Sequence, residues 1–155
     1  MKIFLLTHER EFHRATNTGS LALEDSNTIV ERILWERVNP NKALTRLIEN
    51  NEALLLYSKG ESSSAVSSAV IEDYENIIII DSTWQEAQKI FNQSAYLKKA
   101  PQFTLKTSND SSYKLRANQP EGGLCTIECI IEVLRIKGQH KMASELAVRF
   151  EQFNG

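Results

Sequence analysis

The chain has 155 residues, of which 41% are hydrophobic and 25% charged, with a formal net charge of -2. That length suits one domain, 1–155, able to bury a sizeable core, and the composition is that of an ordinary globular protein. No apolar run approaches the roughly 18 residues of a membrane helix, and the overall charge neither announces nor excludes a nucleic-acid partner, since binding depends on local patches.

Lys2–Thr7 (KIFLLT) is continuous in apolar residues, as a central strand is. It is followed at once by charge, so it makes no signal peptide. His8–Ser20 is polar and ends in Asn-Thr-Gly, a loop signal. Ser26–Val38 reads two ways. Val30, Ile33, Leu34 and Val38 fit a helical stripe, whereas Thr28, Ile29, Val30 and Trp35 favour a strand by residue type. Asn39-Pro40-Asn41 closes that segment. Lys42–Asn50 is a short amphipathic helix, and Ala53–Tyr57 a second buried strand.

Ser58–Val70 is the one low-complexity stretch, rich in Ser, and reads as a loop inside a single α/β alternation. Ile77–Ile80 is the strongest strand. Thr83–Gln93 is a helix with Trp84, Ala87, Ile90 and Phe91 on one side. Pro101 ends the next connection, and Gln102–Lys106 is a strand. Ser111–Arg116 is a loop or short strand, and Gln119–Gly123 a turn. Cys125–Ile136 and Lys141–Phe153 are helices. The first buries Ile127, Ile130, Ile131 and Leu134, and the second Met142, Leu146, Phe150 and Phe153. Short apolar strands alternating with helices imply an α/β fold, a mostly parallel sheet flanked by helices. Ligands of such sheets bind beyond the carboxyl ends of the strands, and Asp81 lies at such an end.

Two accounts of Asp81–Glu86 stand side by side. In one, Asp81 or Ser82 caps the helix, and Ser82 with Gln85, or Thr83 with Glu86, has capping-box spacing. In the other, a carboxylate and the N–H groups of the helix start face a ligand. Ser111–Glu128 is equally double. Gly122-Gly123 permits close backbone approach, Cys125 or Thr126 starts a helix, and Glu128 suits its positive end. Arg116 is a type of residue that holds a carboxylate or phosphate by two parallel hydrogen bonds. Dinucleotide and P-loop signatures are absent, as is the G-x-S-x-G elbow. Cys125 and Cys129 lie four apart in an apolar helical pattern, so they read as reduced core thiols in a cytoplasmic protein. A zinc site needs more ligands than these. Three small basic clusters, His8/Arg10/His13/Arg14, Lys98/Lys99 beside Tyr96, and Lys114/Arg116, would form a basic surface if folded onto one face.

In combination these segments are familiar. Asp81, Ser82, Thr83 and Trp84, with Ala87 three positions on, then SAYL, YKLR and CTIEC, resemble the DTW-domain family. The family usually has Gly where Ser82 stands. THEREFHRATNTGSLA is similar to its His/Glu-rich loop followed by Asn17, Thr18 and Gly19, and ILWERVNP to its Trp-x-Arg segment. The resemblance runs nearly the whole chain in order. It implies a tRNA-uridine aminocarboxypropyltransferase that moves the 3-amino-3-carboxypropyl group of S-adenosylmethionine to N3 of a uridine in tRNA, releasing methylthioadenosine. It also implies a SPOUT-like fold with a C-terminal knot threaded by Gly122–Leu134, an exception to the unknotted rule, and a strand over Thr28–Trp35.

On that resemblance Asp81 is the first candidate for the base that takes the N3 proton, and Glu128 the second. Arg116 would pair with the carboxylate of the transferred group. Thr83 and Thr126 would hold the adenosine end, and Leu56, Ile80 and Leu124 would offer apolar walls. Ser82, Trp84 and Cys125 belong to the same cofactor-binding segments. Arg14, Asn17, Lys98 and Lys99 are the candidates for the tRNA backbone. Relatives often carry a Cys-rich N-terminal segment resembling a metal site. The sequence has no such cysteines, so no metal is expected, and no membrane partner either. The rival readings are a SPOUT-type RNA methyltransferase, separated by its product adenosylhomocysteine, and a non-catalytic RNA-binding module. The oligomeric state is left open.

Overall fold

Four consecutive isoleucines bury well only in a strand covered on both faces, and the chain supplies that cover. The computed structural model describes residues 1–12, 29–56, 71–82, 84–103 and 126–154. In chain order these form β1 (Lys2–Thr7), α1 (Glu9–Phe12), β2 (Val30–Leu34), α2 (Lys42–Glu49) and β3 (Ala53–Leu56). A 3-10 turn (Ile71–Asp73), β4 (Asn76–Asp81), α3 (Trp84–Gln93), α4 (Ala95–Lys98) and β5 (Gln102–Phe103) follow, and then α5 (Thr126–Ile136) and α6 (His140–Asn154).

Among the described residues the sheet has five strands in the order β2-β1-β4-β3-β5, all parallel. Side chains alternate across it. Ile3, Leu5, Val30, Leu54, Ile77 and Ile79 pack under α5 and α6. Phe4, Leu6, Leu55, Ile78 and Ile80 pack under α2, α3 and α4. Each fully buried Leu or Ile contributes roughly 1.5–3 kcal/mol, so the two apolar layers supply most of the drive to fold.

The strand reading of the ambiguous segment holds as Val30–Leu34. Its backbone completes one edge of β1, with Ile3 opposite Val30 and Thr7 opposite Leu34. The alternative helical stripe has no core to meet, since Val38 is 91% exposed and Leu34 43%. His8–Ser20 begins with one helical turn where a loop was expected. The His8 carbonyl accepts from the Glu11 N–H at 2.9 Å, and His8 Nδ1 accepts from the Arg10 N–H at 3.1 Å.

Helix ends follow the rules of orphan backbone groups. Asn41 caps α2, its Oδ1 accepting from the Leu44 N–H at 3.0 Å. At the other end Asn51 adopts φ +56°. The N–H of Asn51 bonds to Ile48, and that of Glu52 to Leu47, which is a Schellman motif. The same motif closes α5. Gly138 at φ +80° turns the chain while its N–H bonds to Arg135 and that of Gln139 to Leu134. This turn lays α6 back against α5. The Ser-rich stretch, the loops from Ser111 to Gly123 and the first four residues of the proposed knot segment, 122–125, lie outside the described residues, and the rest of that segment is in α5.

Candidate functional site

β1 sends its connection toward β2 on one side, and β4 sends its connection toward β5 on the other. Adjacent strands whose connections part in this way open a crevice at their carboxyl ends. The last residues of the two strands, Thr7 and Asp81, are direct register partners there. Both side chains point to the α5 side, following Leu5 and Ile79 by two.

Asp81 is 0% exposed, and a buried carboxylate needs donors. Three come from separate parts of the chain. The Thr126 hydroxyl, on the first residue of α5, donates to Oδ1 at 2.9 Å. Arg32 Nη2, from β2, donates to Oδ2 at 3.3 Å. The Thr7 hydroxyl lies 3.2 Å from Oδ2 and 3.2 Å from the Leu5 carbonyl, with one proton to give to either. β2 is two strands from β4, about 10 Å away, so the Arg32 side chain reaches over the end of β1. The start of an eleven-residue helix, α5, adds a positive dipole end to the same carboxylate.

A second set of contacts fixes the rim. The Trp35 N–H bonds to the Thr7 carbonyl at 2.8 Å. The Trp35 indole stacks on His8 with ring centroids 5.8 Å apart, and its Nε1 donates to Ser94 Oγ at 2.8 Å. Glu86, buried in α3, lies 3.9 Å from Arg10, tying the turn after β1 to the helix after β4. Tyr96 stands beside Ser94. Burial pushes its phenol upward from 10.0, with the Ser94 hydroxyl pulling the other way.

Of the residues expected from sequence, Asp81 and Thr126 meet directly. Leu56 is buried on the same face as Asp81, while Ile80 turns to the opposite face, toward α3. Glu128 is two residues from Thr126, and residues two apart occupy different sides of a helix. Ser82 follows Asp81 directly, and Trp84 begins α3. Lys98 and Lys99 are exposed at the end of α4. Arg14, Asn17, Thr83, Arg116, Leu124 and Cys125 lie outside the described residues. Cys129 is a free thiol packed against the α5–α6 layer. Burial, followed by the nearby charges of Glu128 and Glu132, pushes it up to about 12.

Thr7 and Arg32 were not singled out from sequence. The signal for Arg32 was its parity: in a strand it shares the inward face of Val30. Thr7, like Asp81, is the polar residue that ends an apolar run.

A parallel α/β domain with a buried carboxylate at its switch point, met among the described residues by groups from β1, β2 and α5, has the form of a protein that binds ligands at the carboxyl ends of its strands. The chain belongs to the DTW domain family, whose profile matches residues 1–155. It is similar to a Macaca fascicularis protein named tRNA-uridine aminocarboxypropyltransferase 2, at 26% identity over 95% of this chain and 51% of that protein. A Drosophila melanogaster protein of the same name is 27% identical over 87% of the chain and 55% of its own length. One from Mus musculus is 29% identical over 68% and 36%. The chain thus spans about half the length, or less, of the curated relatives it matches. No solved structure matches it.

Proposed function

We propose that this domain transfers the 3-amino-3-carboxypropyl group of S-adenosylmethionine to N3 of a uridine in tRNA, releasing methylthioadenosine, in the cytoplasm. The observation that carries this reading is the hydrogen bond between Asp81 and Thr126, 45 residues apart. It joins the Asp-Ser-Thr-Trp segment, the hallmark of the family resemblance, to the Cys-Thr-Ile-Glu-Cys segment, another that carries it, at the end of the sheet where ligands of such folds bind. The names of the relatives support the reaction class.

The residues fit a zwitterionic, adenosine-bearing donor. The crevice offers a cation at Arg32, the N-terminus of α5, hydroxyls at Thr7 and Thr126, and an apolar wall at Leu56. S-adenosylmethionine supplies an electrophilic carbon beside its sulfonium. Uridine N3 loses a proton to a base on the enzyme and forms the N–C bond as the C–S bond breaks, the electron pair leaving with methylthioadenosine. With a good leaving group, the protein's task is mainly positioning and proton removal. The Asp81 carboxylate already accepts internal hydrogen bonds on both oxygens. To act as the base it must exchange one of them for the N3–H when RNA binds. Otherwise it organises Arg32 and the start of α5, and Glu128 is the next carboxylate along. The SPOUT-like knot through Gly122–Leu134 and the pairing of Arg116 with the donor carboxylate belong to the same proposal.

The test is transfer of label from S-adenosylmethionine marked in its carboxypropyl carbons to unmodified tRNA, followed by mass analysis of the nucleosides. The Asp81→Asn variant keeps the shape. Loss of transfer with both ligands still bound marks a base, and loss of binding marks an organiser. Transfer at the wild-type rate removes Asp81 from the chemistry.

A further inference from the structure

Around the rim of the sheet from Asp81, on the α2–α3–α4 side, lies a cleft of about 420 Å3. This is within the roughly 300–1,000 Å3 of ordinary ligand sites. Arg37, Pro40 and Thr45 line it from the β2–α2 part of the chain, and Ser94, Tyr96 and Lys99 from the α3–α4 part. Its geometry is held at the back by Trp35, whose indole is bonded to Ser94 and whose N–H is bonded to Thr7. The same Thr7 faces Asp81. The loop that carries Arg37 is closed on itself by Asn39 Nδ2 donating to Glu36 Oε2 at 2.7 Å.

The cleft is cationic on a chain of net charge -2. Arg37 and Lys99 both line it, and Lys42, Arg46 and Lys98 are exposed on the same two segments of the chain. Among the described residues none of these five cations has an ion-pair partner. Glu49 also lines the cleft, and Glu36 is occupied by Asn39. Unpaired cations around a half-buried aromatic ring suit a phosphate and an unstacked base, the two things single-stranded RNA offers. The sulfonium of S-adenosylmethionine carries a positive charge and is disfavoured among them.

We infer that this cleft seats a nucleotide flanking the acceptor uridine, with Arg37 and Lys99 on its phosphate and Tyr96 under its base. The inference rests on the tRNA reading above. It gives the acceptor strand a path: the flanking nucleotide is held on the α2–α4 side of Trp35, and the target base turns past His8 and Thr7 toward Asp81.

The test uses the full chain and the variants Arg37→Ala, Lys99→Ala and Tyr96→Leu. Binding of an unmodified tRNA transcript and of a short oligouridylate is measured across a salt series, S-adenosylmethionine binding by calorimetry, and folding by thermal unfolding. Each cation variant is expected to weaken binding of both RNAs about tenfold, and the pair together to lower the salt slope by about one. Tyr96→Leu is expected to weaken RNA binding with little change in that slope. S-adenosylmethionine affinity stays unchanged throughout. Unaltered RNA affinity and slope in folded variants that transfer normally would overturn the inference and leave the transferase reading standing. So would a loss of S-adenosylmethionine binding with RNA binding intact, which would make the cleft the donor's. Cleft-dependent oligouridylate binding in a protein that transfers nothing would uphold the cleft as a nucleotide site, overturn its place beside an acceptor uridine, and sink the transferase reading.

Discussion

Replacing Arg32 with Met tests whether the Asp81 cluster is as tightly coupled as its burial implies. The guanidinium is 3.3 Å from Asp81 Oδ2, with side-chain exposures of 12% and 1%. At that distance the Coulomb attraction is about 5 kcal/mol for an effective dielectric constant near 20, largely offset by the cost of desolvating both ions. Met keeps much of the aliphatic length and removes the charge, leaving the carboxylate buried without this cation. Breaking such a pair costs about 3–5 kcal/mol, a large part of the roughly 5–15 kcal/mol that holds a domain together. At about 2–4 °C per kcal/mol for a chain of this size, the midpoint should fall by roughly 6–20 °C. Arg32→Met combined with Asp81→Asn removes the stranded charge, so the double variant should be clearly more stable than the sum of the two single losses. Urea unfolding of the four proteins measures the cycle. A single-variant loss under about 1 kcal/mol, as for a surface pair, or strict additivity in the double variant, refutes the reasoning.

Other consequences are smaller or chemical. Asn41→Ala removes the α2 cap and should cost about 1 kcal/mol, visible in urea unfolding as a lower midpoint with an unchanged slope. A Cβ at Gly138 would meet no atom within 4 Å. Gly138→Ala should therefore cost only the left-handed backbone penalty of about 1–2 kcal/mol, measured the same way. With its thiol raised from 9.0 to about 12, Cys129 in a Cys125→Ser background should alkylate with iodoacetamide at pH 8 about a thousandfold more slowly than a free thiol, and at the ordinary rate once unfolded. A raised folded value favours the neutral thiol in the native state. Its contribution to stability is full below pH 9 and is lost as pH rises toward 12, which unfolding measured across that window will register.

The strands were legible because parallel strands covered on both faces are written as unbroken apolar runs; KIFLLT, ALLL and IIII need no partner to be recognised. The stripes of α5 and α6 were legible for the complementary reason, eleven and fifteen residues being enough for a 3.6-residue period to emerge. α1 and α4, at four residues each, span about one turn and have no period to read. β2 was ambiguous because it buries little beyond Val30 and turns a charged residue inward. Asp81 was found because it ends an apolar run. The partners Thr7 and Arg32 lie 74 and 49 residues away in sequence and meet it only once the strand order is known.

That order also explains why the polar cluster sits where it does. A parallel sheet covered on both faces leaves little room for a polar side chain within its strands, so charge concentrates where strands stop and helices start. Asp81 goes further than the topology requires, since a residue at that end could face water. It is withdrawn completely and then matched by donors from β1, β2 and α5, an arrangement that gains little net stability over an apolar one. What it does gain is position. The ladder already fixes β1 and β2, whereas α5 is packed on the sheet by non-directional contacts; all three are set to within a hydrogen bond of one carboxylate, at the crevice where the two halves of the sheet diverge. A cluster of that kind is expected where a small ligand must be oriented. The Arg32→Met and Asp81→Asn double variant then separates position from stability: much of the fold's resistance to urea returns, and the oriented site does not.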